Sequence, residues 1–87
     1  MHAVVVRVTI NDREAADTAL REQVVPRASS SPGFVAGYWV RLSGDRGASV
    51  AAFESEDAAQ AAADQAQPPG DFVTFDSVEV GEVVAHA

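Results

Sequence analysis

Eighty-seven residues fit one domain and exclude a two-domain enzyme. The chain has no Cys and all six of its basic residues are Arg, which excludes thiolate catalysis, disulfides, cysteine metal clusters and a lysine Schiff base. With 13 acidic residues the formal net charge is -7, opposite to the electrostatic footprint of a nucleic-acid or anionic-membrane binder, so neither is expected as a partner.

Residues 3 to 10, AVVVRVTI, are dominated by β-branched side chains and end at Asn11-Asp12, which predicts a first strand. Asn11 with Glu14 three residues later has capping-box spacing, and Asp12 and Glu14 suit the positive end of a helix dipole. Ala16, Ala19, Leu20, Gln23 and Val24 then recur on one helical face until Pro26 disrupts or kinks the pattern. Ser29 to Gly33 is a loop by composition, and the aromatic and β-branched segment Phe34 to Leu42 predicts strand two. Ser43 to Gly47 turns the chain back into strand three, Ala48 to Phe53. Ser55 is placed to cap an alanine-rich helix over Glu56 to Ala66, stopped by Pro68-Pro69-Gly70. Phe72 to Ala85 completes the chain as a long last strand.

The order βαββαβ is the ferredoxin-like α+β pattern, an antiparallel sheet ordered 4-1-3-2 with both helices on one face. Strand one is apolar on both parities, at Val4, Val6, Val8 and Ile10 and at Ala3 and Val5, so the second face of the sheet also needs a cover. Of the 41 hydrophobic residues, 17 are Ala and 14 are Val. Such a core contributes little transfer free energy per residue, and self-association supplies the missing burial. A homodimer is expected. On strand two the parity of Phe34, Tyr38, Val40 and Leu42 is the more apolar and is assigned to the helix side, which sends Trp39 towards the partner sheet.

Several residues could carry chemistry. Tyr38, Trp39 and Arg41 combine a hydroxyl, a stacking ring and a positive charge, as an aromatic or phenolic ligand would require. Ordinary sheet packing is the competing role, because pairing through the turn puts Trp39 opposite Ala51 and Tyr38 opposite Ala52. Arg7 interrupts strand one and needs either a ligand anion or one of the carboxylates Asp76, Glu79 and Glu82 on the neighbouring last strand. His2 and His86 would meet if Val4 paired with Val84, but two terminal imidazoles without a third ligand make no stable metal site. No metal, cofactor or catalytic residue is assigned. Ser29-Ser30-Ser31 has no acid or base partner, and the glycines at 44 and 47 belong to a hairpin rather than to a phosphate loop.

Pro32-Gly33-Phe34 opening strand two, Gly37-Tyr38 within it, and Phe53-Glu54-Ser55-Glu56-Asp57-Ala58-Ala59 joining strand three to the second helix resemble the antibiotic-biosynthesis-monooxygenase-like group of dimeric α+β barrel proteins. The likeness spans most of the chain. It implies a single dimeric α+β barrel domain over residues 1–87, a homodimer, and a ligand pocket between sheet and helices in each subunit. It also implies cofactor-independent monooxygenase-like oxidation of a small hydrophobic or aromatic molecule, or, as the alternative within the group, a non-catalytic structural or regulatory dimerisation module. The heme-degrading branch of the group uses an Asn on strand one, a Trp on strand three and a His on helix two. Here Asn11 lies past the strand, Phe53 takes the aromatic position and helix two has no His, which argues against that branch. The start MHAVVVRVTI has no basic leader and no apolar run approaches about 20 residues. A cytoplasmic protein beginning at Met1 is the expectation.

Overall fold

A computed structural model describes residues 1–87. Strand β1 (His2–Ile10) leads into helix α1 (Arg13–Ala19), which continues through a π-helical turn (Leu20–Val24) into α2 (Val25–Ser29). The hairpin β2 (Phe34–Arg41) and β3 (Arg46–Phe53) follows, then α3 (Glu56–Gln65) and β4 (Val73–Glu82). The four strands form one antiparallel sheet ordered β2-β3-β1-β4, the ferredoxin-like arrangement.

The local chemistry of the ends explains where these elements begin. Asp12, not Asn11, caps α1, accepting a hydrogen bond from the Ala15 N–H at 3.1 Å. Asn11 instead donates to the Asp71 carbonyl and the Thr74 hydroxyl, at 3.0 and 3.1 Å, and so ties the end of β1 to the segment entering β4. Ser55 caps α3 as its position requires, accepting from the Ala58 N–H at 3.1 Å. Pro26 does not end the first helix. The turn before it widens so that the Val25 N–H reaches back to the Leu20 carbonyl, and this looser winding accommodates a residue that has no N–H of its own. The last strand stops at Glu82, short of the alternation read in the sequence.

The core lies under α3. Val4 and Val6 from β1, Phe53 from β3 and Ala59 from α3 form its buried centre, with Phe34, Ala62, Phe75 and Val80 packed around it. Phe53 is 1% exposed and meets the Phe34 ring edge-on, centroids 5.9 Å apart at 82°. Gly33 makes that contact possible. It turns the chain at φ 78°, and a Cβ there would lie 2.9 Å from the Ala58 Cβ, so the loop can lie against α3 only without a side chain.

Two pairing registers differ from the sequence-based expectation. β1 and β4 pair Val4 with Val80 and His2 with Glu82, with a bulge opposite Arg7 and Val8, so His86 lies beyond the strand and does not meet His2. The His2 Nε2 lies 3.6 Å from the Glu56 carboxylate instead. Across the hairpin Tyr38 pairs with Val50 and Trp39 with Ser49, two positions from the alanines expected.

The larger correction concerns the faces of β2. The register shifts between Phe34 and Ala36, which makes Val35 an extra residue in a bulge and reverses the parity after it. Phe34 opposite Phe53 faces the helices. So do Trp39 and Arg41, opposite Ser49 and Gly47, whereas Tyr38 and Val40, opposite Val50 and Ala48, face away. Trp39 therefore does not point towards a partner sheet. The outward face carries Tyr38 at 68%, Val40 at 51% and Val50 at 42% exposure.

Replacing Phe53 by Ala removes the one large side chain that is fully buried, and is expected to cost about 3–5 kcal/mol in urea unfolding followed by circular dichroism. Gly33→Ala is expected to destabilise as well, through both its positive φ and the Ala58 contact.

Candidate functional site

The two helical layers sit on the sheet differently. α3 packs along β1, β3 and β4, while the rod formed by α1, the π turn and α2 rests on the sheet chiefly where α2 meets β2. The side chains of the rod do not fill the space beneath it. A cavity of about 690 Å³ remains between rod and sheet, within the range of sites that hold small organic ligands.

Each wall follows from a strand or helix period. The floor is the helix-facing parity of β1, Val4, Val6, Val8 and Ile10, continued by Ala51 of β3 and Phe75 of β4. Leu20, Val24 and Ala28 line it from the rod, and Ala62, Ala66 and the Pro68-Pro69 segment close the far side. In all, 17 of 28 lining residues are hydrophobic, so an apolar body is what the space accommodates.

Trp39 lies on the wall formed by β2, its indole lying back along the strand over Gly37. A Cβ at position 37 would come within 2.8 Å of the ring, so glycine permits that pose. Two residues further on, Arg41 reaches across to form an ion pair and hydrogen bond with Asp17 of α1. The pair links the two walls of the cavity and remains partly solvated, at 43% and 39% side-chain exposure. Arg27 of α2 also lines the cavity, and no carboxylate pairs with it.

Of the four residues the sequence singled out, the fold brings Trp39 and Arg41 together in this cavity and places Tyr38 and Arg7 on the opposite face. Arg7 meets the Glu79 carboxylate at 3.3 Å, the structural partner anticipated for it on the last strand. Asp17, Arg27 and Gly37 were not among the candidates. Asp17 reads in sequence as a solvent-facing helix residue, and only the position of the rod over β2 brings it against Arg41 and the still exposed Arg27 into the lining.

The lining contains no His, Cys, Met or Tyr. Its polar groups are the side chains of Asp17, Arg27 and Arg41 together with amides and hydroxyls such as those of Gln23, Ser31, Ser49 and Gln65. No cluster of three His, Cys, Asp or Glu residues occurs anywhere in the chain, and no helix is long and apolar enough to cross a membrane.

No family model matches the chain, and no curated protein sequence does. Solved structures do share its fold. An arginine-to-serine mutant of MhuD with two manganese protoporphyrin IX molecules bound per active site is 22% identical, with a TM-score of 0.68 over 100% of this chain and 98% of that one. The heme-degrader MhuD from Mycobacterium tuberculosis, with two hemes bound in its active site, is 26% identical, with a TM-score of 0.57 over 97% and 98% of the two chains. A heme-free structure of the heme-degrading protein from the same organism is 27% identical at a TM-score of 0.53, with the same coverage. The fold common to these structures and this chain is the ferredoxin-like α+β fold of the group that the sequence resembles.

Because the Asp17–Arg41 pair is half-solvated, Asp17→Asn is expected to change folding stability by less than about 1 kcal/mol, read from urea denaturation midpoints. Gly37→Ala is expected to push the indole off its strand, shifting the Trp39 emission maximum while leaving the fold intact by circular dichroism.

Proposed function

We propose that this protein binds a small hydrophobic or aromatic molecule in the cavity between its first helical rod and its sheet. The observation that carries the reading is the cavity itself, about 690 Å³ of mostly apolar space with an indole on one wall and guanidinium groups among its lining. The neighbours support it, since MhuD structures of the same fold hold porphyrins in their active sites. Trp39 and Arg41 are the ligand contacts in this reading, the ring stacking on a flat body.

Cofactor-independent monooxygenase-like oxidation of that molecule is the sharper form of the proposal, supported by the resemblance to the monooxygenase-like group and by a cavity of substrate size. A second reading, a non-catalytic binding and dimerisation module, is favoured by one specific feature. Asp17 is the only carboxylate lining the cavity, and it is engaged by Arg41, which leaves no free acid-base pair there. Turnover of a bound phenol with oxygen uptake, in protein free of metal and added cofactor, would select the first reading; binding without oxygen uptake selects the second.

The assembly belongs to the same proposal. The outward sheet face exposes Tyr38, Val40 and Val50, with the half-buried Val5 and the Arg7–Glu79 pair on the same side, and a second copy placed sheet to sheet would bury it as a dimeric α+β barrel of one domain per chain. Tyr38 and Arg7 then serve the interface rather than the ligand. Sedimentation equilibrium is expected to give a dimer, and Val5→Asp to shift it towards monomer. Trp39→Ala is expected to leave the dimer intact and to weaken binding of a fluorescent aromatic anion such as anilinonaphthalene sulfonate. A monodisperse 9.1 kDa species at micromolar concentration would end the dimer reading.

A further inference from the structure

We infer that the cavity recognises its ligand through an acid group held by Arg27, and is indifferent to any metal at the ligand's centre. The inference rests on the binding function proposed above and specifies the chemical class of ligand: a flat apolar molecule bearing a carboxylate or an equivalent acidic group.

The donor set carries the first half. Tetrapyrrole iron needs an imidazole, thiolate, thioether or phenolate from the protein, and none of these lines the cavity. Neither histidine of the chain is among its lining residues. His2 lies beside Glu56 at the opposite end of β1 from the Arg41 side, and His86 follows the end of β4. Amides and hydroxyls, the remaining neutral polar groups of the lining, are poor ligands for heme iron. The cavity therefore does not fit heme as a metal-ligated group, although the fold is shared with heme-degrading proteins.

The charge distribution carries the second half. Two of the chain's six Arg line the cavity, against one of its 13 acidic residues, so the lining is net positive in a protein of net charge -7. The excess is local to the lining. Asp17 already engages Arg41. Arg27, in the last turn of α2, has no acidic partner, and its planar fork is suited to two parallel hydrogen bonds with a carboxylate. Arg41, whose charge is shared with Asp17, is the weaker of the two anchors and strengthens when Asp17 releases it.

The experiment titrates the intact protein with hemin, iron-free protoporphyrin IX and the neutral dimethyl ester of protoporphyrin IX, reading quenching of Trp39. The expected result is that hemin and protoporphyrin IX bind within about threefold of each other, with no protein-ligated iron signature in the Soret region, and that the ester binds at least about fivefold more weakly. Arg27→Gln should weaken both acids about fivefold and leave the ester unchanged, while Asp17→Asn, by releasing Arg41, should tighten both acids. Hemin binding more than tenfold tighter than protoporphyrin IX overturns the metal-indifference. An ester that binds as well as the acids, or an Arg27→Gln variant that weakens all three probes equally, overturns the role of the acid group. Failure of every probe, the ester included, to quench Trp39 overturns the binding function itself and the inference with it.

Discussion

One extra residue in β2 decides what this molecule can do. Phe34 must face the helices, because its ring fills the space beside Phe53 under the start of α3, and Gly33 lets the loop approach closely enough to put it there. Strict alternation from Phe34 would then send Tyr38 and Val40 inward and Trp39 and Arg41 outward. The bulge at Val35 absorbs one residue and reverses that outcome. A packing demand at one end of the strand and an indole and a guanidinium in the cavity at the other are thus satisfied by the same eight residues.

The hollow beneath the first helix has an equally simple cause. Each helix packs on the sheet only as closely as its side chains dictate. α3 presents Ala58, Ala59, Ala62 and Ala63 and settles directly onto β1 and Phe53. The rod of α1 and α2 is propped where α2 meets β2 and is linked to that strand by the Asp17–Arg41 pair, so the end of β1 beyond the α3 core, at Val8 and Ile10, stays only half-buried. An apolar floor left uncovered in this way favours an apolar occupant.

The sheet is apolar on both faces for the same compositional reason, a chain that draws its hydrophobic area from many small side chains rather than a few large ones. One face is half covered by α3 and half by the cavity; the other is covered by nothing within the chain. A ligand on the first and a second subunit on the other are the covers proposed for the apolar surface that a single chain leaves exposed.

The element order, the sheet order, the Ser55 cap and the Arg7 partner on the last strand were legible in the sequence, because each depends on local chemistry or on period: β-branched runs, a hydroxyl before an alanine-rich segment, a charge seeking its opposite on an adjacent strand. Trp39 and Arg41 were legible as residues of interest, but not the face on which they stand. Parity propagates along a strand only while pairing is regular, and nothing in FVAGYWVR announces a bulge at its second residue. The same limit hid the Asp12 cap beside Asn11, since both side chains can accept from the backbone and only the arrival of Asp71 and Thr74, 60 and 63 residues away, occupies one of them. Asp17 and Arg27 were the least visible. Whether a charged residue on a helix faces water or a cavity depends on how that helix is tilted over the sheet, and this is settled by packing between elements distant in sequence, which local spacing does not encode.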